Sequence, residues 1–423
     1  MVCRPLRICL LTYRGNPRSG GQGVYVRLLS EALRDLGHEV DVWSGQPYPE
    51  LVDGVGLLEL PSLDLWNAEQ LMRFPTLREL LDPINVSEYA HTKLGAFREP
   101  VSFTQRVARE FRRGGHARHY DIVHDNQSLG PGLVQLQAAL PVVATIHHPI
   151  TVDLRIAVDA AKSGSQRFGL KRWYSFVDTQ LEVSRKLDRI MTVSEASRRD
   201  LEREYRVHSA RMRVVGNGID VDVFQPKPAV PRKAFELITT LSSDTPLKGF
   251  RFLLEALARL RRKRPELQLK VIGQPGVDTG TLERVEKLGL KPAVQFTGRV
   301  PAATIADAYA EATLAVVPSL YEGFGFPAGE AMACEVPVVS SRGGALPEVV
   351  GEGGTCGLLV PPESSEALAH AIDELLDQPE RRIAMGKAGR ARVLEHFTWR
   401  RAAERTVDVY REAIAERRGV ATC

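Results

Sequence analysis

Short apolar, β-branched runs alternate with longer amphipathic stretches along this chain. LRICLLTY (6–13), EVDVWSG (39–45), DIVHDN (121–126), PVVATIHH (141–148), RIMTVS (189–194) and RMRVVGNG (211–218) read as strands. GVYVRLLSEALRDLG (23–37) reads as a helix that stops at Gly37. The pattern restarts in the second half with ELITTLS (236–242), QLKVIG (268–273), AVQFTG (293–298), LAVVPS (314–319), PVVSS (337–341) and GLLV (357–360). Strands separated by helical patterns predict βαβ units and parallel sheets, an α/β fold. Between the halves, 222-DVFQPKPAVPRK-233 carries three prolines and suits a linker. The expected domains are 1–216 and 217–397. Two Rossmann-like sheets joined in this way would face a central cleft with the carboxyl ends of their strands.

Residues 47–120 fit this alternation poorly and are expected to form a helical cap on the first domain. Within them, 98-REPVSFTQRVAREFRR-113 carries five arginines and two glutamates, with Val101, Phe103, Val107 and Phe111 interleaved. One reading is a solvated helix face; the other is a surface that touches anionic lipid headgroups. The segment 397–418 reads as a long helix with its own apolar stripe.

Composition narrows the field. At 423 residues, with 43% apolar and 26% charged residues, the chain is an ordinary globular one of about two domains. Its net charge of +4 is spread evenly, with 29 Lys and Arg against 26 Asp and Glu in residues 1–220, so nucleic acid is not expected as a partner. Five scattered cysteines form no C-x-x-C pair, which suggests neither a disulfide framework nor a zinc site and favours a reducing cytoplasm. The apolar run around Ile8–Leu11 is too short for a signal segment, and no run of about 18 apolar residues exists to cross a membrane.

The richest chemistry lies in 320-LYEGFGFPAGEAMACEVPVV-339. Gly323, Gly325 and Ala328 spell G-x-G-x-x-A, a dinucleotide fingerprint, but in the fourth βα unit of the second half. About 20 residues on, around Arg342–Leu346, there is no carboxylate until Glu348, and the near-match Gly21-x-Gly23-x-x-Val26 lacks its third small residue, so a nicotinamide site is not expected. The underlying physics still applies. Glycines let backbone approach a ligand, and a helix starting near Pro327 offers free N–H groups to an anion. Glu330, about one turn in, suits sugar hydroxyls; taken alone, it and Glu322 would pass for turn and helix-dipole residues. Asp220-Val221-Asp222 spells D-x-D, yet within an interdomain stretch, and does not imply a metal.

Taken together, Glu322 and Glu330 with E-G-F-G-F-P, the E-A-M-A helix start and the following P-V-V resemble the E-x7-E segment of family 4 retaining glycosyltransferases, which have the GT-B fold. The resemblance runs over nearly the whole chain: Gly20-Gly21 before the first helix, VVGNGIDVDVF (214–224), Lys248-Gly249, Gly298-Arg299-Val300, SSRGGALPEVVG (340–351), GLLVPP (357–362) and FTW (397–399). It implies transfer of a sugar from a UDP- or GDP-linked donor to a sugar, lipid or small-molecule acceptor hydroxyl, with no further cofactor and no metal. The implied mechanism is front-face displacement with retention, giving an α-linked product. Another GT-B enzyme, an epimerase or a phosphorylase, and a non-catalytic nucleotide-sugar binder remain as alternatives.

The resemblance also implies roles for individual residues. Lys248 and the backbone of Gly20 and Gly21 would meet the donor diphosphate. Glu330 would hold the ribose hydroxyls, and Glu322 would face the sugar. Phe324, Gly325 and Phe326 would contribute main-chain N–H groups, and Val300, after Arg299, would place its backbone against the base. His147, at the A-T-x-H position, would contact the transferred sugar or the acceptor; His148 and His124 are weaker candidates. The chain departs from the family at Ser242 or Ser243, where many members carry a second phosphate-binding arginine; Arg251 and Arg299 are present but off that position. Helix 398–423 would pack back on the first domain, and the protein would act in the cytoplasm, in one version at the inner face of the membrane.

Overall fold

The computed structural model describes residues 4–16, 21–67, 71–276 and 279–419. The chain divides into two units. The first holds the residues up to 193, 197–215 and those from 402 on; the second holds 194–196 and 216–401.

The first unit is built on a seven-stranded parallel sheet: β1 (Arg7–Thr12), β2 (Glu39–Ser44), β3 (Val55–Glu59), β4 (Ile122–Asn126), β5 (Val142–Ile146), β6 (Arg189–Thr192) and β7 (Met212–Val214). Their order is β3-β2-β1-β4-β5-β6-β7, so the chain reverses direction across the sheet between β1 and β4. Ile8 pairs with Val40 on one side and Ile122 on the other. Every residue of β4 and β5 is buried, as expected when helices cover both faces of a parallel sheet. The first helix, Gly21–Asp35, turns Val26, Leu29 and Leu33 inward at the i, i+3, i+7 spacing of one face.

The second unit repeats the plan with β8 (Glu236–Leu241), β9 (Gln268–Gly273), β10 (Val294–Phe296), β11 (Leu314–Val317), β12 (Val338–Ser341) and β13 (Gly357–Val360). The order is β10-β9-β8-β11-β12-β13, and the reversal falls between β8 and β11. In doubly wound sheets, the carboxyl ends at such a reversal form the ligand-binding crevice. The core beneath it is aliphatic, with Leu237, Leu253, Leu257, Val271, Leu314 and Ile372 among its members.

Residues 47–120 are not the purely helical cap that their pattern suggests. They contribute β3, which pairs along β2 at the edge of the sheet, before the helices Pro83–Lys93 and Glu99–Gly114. An edge strand half-exposed on both faces leaves no clean alternation to detect.

The lipid-contact reading of 98–113 is also corrected. Val101, Phe103, Val107 and Phe111 are buried, the last three in one core cluster with Leu11, Trp43 and Val123. Arg106 pairs with Glu88 and Arg109 with Asp82. The helix therefore has no apolar face left for a bilayer. Exposed apolar side chains occur instead at Leu71, Phe74, Leu77 and Leu81. Among the described residues, no helix is long and apolar enough to cross a membrane.

The last helix, Trp399–Arg418, joins the first unit from residue 402 on. Tyr410 meets His124 there, Glu412 pairs with Arg213, and Glu416 with Arg189.

Candidate functional site

In the second unit, the candidate site forms where β8 and β11 end. After β8 the chain passes Ser242 and Ser243, both exposed, and makes a 3-10 turn at Pro246–Lys248. Gly249 closes the turn at φ +60°, and a Cβ there would lie 2.0 Å from the Pro318 carbonyl oxygen. Only glycine allows that approach. The backbone N–H of Leu320 donates to the Leu247 carbonyl at 2.7 Å, which ties the turn to the loop after β11.

That tie places Lys248 Nζ 2.8 Å from Glu322 Oε1. The Ser319 hydroxyl donates to the same oxygen at 2.7 Å. The Glu322 backbone is held as well, because its carbonyl accepts from Ala345 N–H at 2.9 Å. Gly344, at φ +61°, lies so close that a Cβ would come 2.2 Å from that carbonyl. Lysine and glutamate, 74 positions apart, are thus fixed as a pair with one carboxylate oxygen, Oε2, without a hydrogen bond among the described residues.

From Glu322 the chain turns through Gly325, at φ +111°, into the helix Phe326–Ala333. The backbone N–H groups of Phe324, Gly325 and Phe326 donate no hydrogen bond among the described residues. Such free amides at a helix start form an anion site. Glu330, one turn into the helix, is half-buried, and its carboxylate makes no hydrogen bond among the described residues. Burial, and next the negative charge of Asp220, push its pKa up to about 7. A half-buried carboxylate without a donor is the acceptor that a vicinal diol requires.

The remaining cations are dispersed. Arg251 lies over the Phe252 ring, 4.4 Å from its centroid. Arg299 is exposed and unpaired among the described residues; it follows Gly298, whose N–H donates to the Gly273 carbonyl at the end of β9, and precedes half-buried Val300. Lys248 is therefore the cation built into the turn, and Asp244 occupies the β8 loop by accepting from Gly276 N–H and the Thr279 hydroxyl. Asp220 accepts from the Val223 N–H at 3.2 Å as a turn residue. Among the described residues, no group of three or more His, Cys, Asp or Glu side chains is placed to share a metal ion.

In the first unit, polar groups gather at the carboxyl ends of β4 and β5. His124 is fully buried, with Tyr410 Oη at 2.6 Å from Nδ1 and Thr145 Oγ1 at 2.6 Å from Nε2. Both ring nitrogens are occupied, so His124 is a structural residue. His147 differs. Its Nε2 lies 2.7 Å from Asn126 Oδ1, and the Asn126 amide donates in turn to the Gln22 carbonyl at 3.2 Å. The Asn126 oxygen must therefore accept, so Nε2 carries the hydrogen and Nδ1 keeps its lone pair. Burial, and next the nearby His148, push the His147 pKa down to about 3, so the ring stays neutral near pH 7. Tyr25 packs against it edge to face at 4.6 Å. His148 is engaged with Asp153 at 2.6 Å.

Gly20 lies outside the described residues. Gly21 opens the first helix, with open space where its side chain would be. Gly23 is the demanding position, since a Cβ there would lie 2.1 Å from the Asn16 carbonyl oxygen. Sequence reasoning missed Asn126, Ser319 and Gly344, the residues that orient His147 and Glu322. The sequence carried no distinct signal for them: that the polar run His124-Asp125-Asn126 is fully buried at the end of β4 is visible only in the structure.

Comparison with known proteins accords with this geometry. Residues 19–223 match the family described as Glycosyltransferase Family 4, and residues 224–392 match Glycosyl transferases group 1. The chain is 43% identical over 421 residues to the MMP alpha-(1->4)-mannosyltransferase of Mycolicibacterium hassiacum, covering 99% of this chain and 100% of the relative. Its fold is that of the GT-B glycosyltransferases, as seen in the sucrose-phosphate synthase of Thermosynechococcus elongatus (TM-score 0.71, 24% identity, 98% of this chain and 100% of that one). Anabaena Alr3699/HepE in complex with UDP and glucose is also similar (TM-score 0.67, 17% identity, 95% of this chain and 98% of that one).

Proposed function

The chain belongs to the family 4 glycosyltransferases, and from that premise we propose that it moves a mannosyl residue from a nucleotide-diphosphate donor to a sugar hydroxyl, with retention, forming an α-(1→4) linkage. The mannosyl group and the linkage rest on the name of the relative that is 43% identical. The donor chemistry rests on the second unit, and one observation carries it: Lys248 clamped 2.8 Å from Glu322 beside the unbonded amides of Phe324–Phe326.

In this reading, Lys248 and those amides meet the diphosphate, whose charge grows as it leaves. Glu330 accepts the ribose hydroxyls, and the Val300 backbone lies against the base. Arg299, exposed and directly before Val300 in the chain, takes the outer phosphate charge that Ser242 cannot. Glu322 gives one carboxylate oxygen to Lys248 and Ser319 and the other to a hydroxyl of the donor sugar. Gly21, at the open start of its helix, presents backbone to the phosphate. His147, neutral and with Nδ1 available, accepts a hydrogen bond from a sugar hydroxyl.

The chemical step needs no protein nucleophile. The anomeric carbon–phosphate oxygen bond breaks, the acceptor oxygen bonds to the same face of that carbon, and its proton passes to the departing phosphate. A donor screen with GDP-mannose, UDP-glucose, UDP-N-acetylglucosamine and ADP-glucose, each with and without EDTA, tests the proposal. It predicts nucleoside diphosphate release from a mannosyl donor, unaffected by the chelator. Failure to turn over any nucleotide sugar would overturn it.

A further inference from the structure

The first unit carries a group of aromatic side chains at the margin of its core, where Phe97 packs against the small cluster of Val101, Phe176 and Val177. Trp66 follows β3, Phe97 precedes the helix Glu99–Gly114, and Trp173 ends the helix Gly164–Trp173. Their rings meet closely: Trp66 and Trp173 edge to face at 4.6 Å, Phe97 and Trp173 stacked at 5.2 Å. The Phe97 N–H donates to the Trp173 carbonyl at 3.2 Å, which locks the two loops together. All three side chains remain half-exposed. Aromatic rings of this size normally bury most of their area, and a buried indole normally finds an acceptor for its N–H. Neither Trp66 nor Trp173 donates from its indole nitrogen to any described residue.

Arg98 directly follows Phe97 in the chain. It is half-buried, and burial lowers its pKa, yet its guanidinium makes no hydrogen bond or ion pair among the described residues. Its neighbours show how unusual that is. Arg14 is bound to Glu99 at 2.6 Å, and Arg106 to Glu88. A partly desolvated guanidinium with five donors and no acceptor is a site awaiting oxygen atoms.

This group also connects to the catalytic edge of the sheet. Tyr13, directly after β1, lies edge to face with Phe97 at 6.3 Å and has the Gln22 side chain close to its hydroxyl. The Gln22 carbonyl accepts from Asn126, which holds His147. One continuous strip at the carboxyl edge therefore runs from His147 through Tyr13 to the tryptophans.

We propose that Trp66, Trp173 and Arg98 form a subsite for the acceptor glycan, in which a pyranose of an α-(1→4)-linked mannoside stacks on the indoles while the indole N–H groups and Arg98 donate to its hydroxyls. The occupant follows from the chemistry: flat apolar faces for the C–H side of a sugar ring, surrounded by donors that lack partners. The identity of the sugar rests on the mannosyltransferase reading above.

The test uses the full chain and α-(1→4)-mannotetraose. Calorimetric titration of the wild type should show saturable binding that quenches tryptophan fluorescence. Trp66→Ala and Arg98→Gln should each weaken binding, and raise acceptor KM, by about tenfold or more, as for the loss of one well-placed contact. Nucleotide affinity and kcat at saturating acceptor should stay as in the wild type. Trp173→Phe, which keeps the stack on Phe97, should give a smaller rise and controls for folding. Equal mannotetraose affinity in Trp66→Ala, Arg98→Gln and wild type would overturn the proposal, as would absence of saturable binding by a wild type that turns over its donor. Failure of the donor screen alone would refute the reaction assigned above and leave this binding measurement decisive.

Discussion

Glu322 Oε1 takes both Lys248 Nζ, at 2.8 Å, and the Ser319 hydroxyl, at 2.7 Å, while its second oxygen is unbonded among the described residues. A single carboxylate thereby positions the only cation built into the β8 turn among the described residues and keeps an acceptor for a donor-sugar hydroxyl. Removing the cation should hurt the transition state more than the ground state. Lys248→Ala is expected to lower kcat by roughly 10²–10³-fold, the usual effect of losing one donor to developing charge. Thermal melting should fall as well, because the Lys248 and Glu322 side chains are only 20% and 12% exposed and the carboxylate would lose its cation.

Glu330 supplies a pH signature. Its folded pKa of about 7 lies above the ordinary carboxylate value, so the folded, ligand-free protein holds this proton more tightly than the unfolded chain. Its contribution to stability is present below the ordinary carboxylate range and is lost as pH rises through about 7. Binding a ribose through the carboxylate favours the ionised form, so nucleotide affinity should increase as pH rises from 6 to 8. Glu330→Gln should weaken binding and flatten both pH dependences, read by titration calorimetry and by melting across that range.

Asn126 is expected to act through His147. Asn126→Ala frees the imidazole from its fixed tautomer and should lower kcat about tenfold, the scale of one oriented hydrogen bond, with donor KM unchanged. Asn126→Asp separates orientation from packing. A carboxylate at 2.7 Å favours the imidazolium and raises the His147 pKa from about 3. Its kcat at saturating donor should fall as pH drops towards 6, in addition to the Glu330-dependent loss of nucleotide affinity that the wild type also shows.

Gly344→Ala tests the clamp on Glu322. At φ +61°, with the Glu322 carbonyl 2.2 Å from the new Cβ, alanine should destabilise the protein by about 1–3 kcal/mol. Melting should show that loss, and kcat should fall further than a purely remote stability mutant predicts, since the displaced group is Glu322 itself.

Much of this architecture was legible because parallel strands buried on both faces write unbroken apolar runs, as in VVATI of β5 and LAVV of β11. The edge strand β3 wrote no such signal and went unread. The arginines of 98–113 looked like a surface because charge dominates the text there, yet Phe103, Val107 and Phe111 carry the packing and Glu88 pairs with Arg106. Lys248, Glu322, Glu330 and His147 stood out through short motifs at strand ends. The residues that orient two of them, Ser319 for Glu322 and Asn126 for His147, did not. Serine and asparagine are common in loops and strand ends, and only three-dimensional proximity distinguishes these two.

The central claim is retentive mannosyl transfer to a sugar hydroxyl, and the product reports on it directly. The wild-type enzyme, supplied with the mannosyl donor identified in the screen and with α-(1→4)-mannotetraose, should yield a pentasaccharide whose new linkage is α-(1→4) by proton and carbon NMR, with one nucleoside diphosphate released per bond formed. A β-linked product, or diphosphate release without elongation of any mannoside, would contradict it.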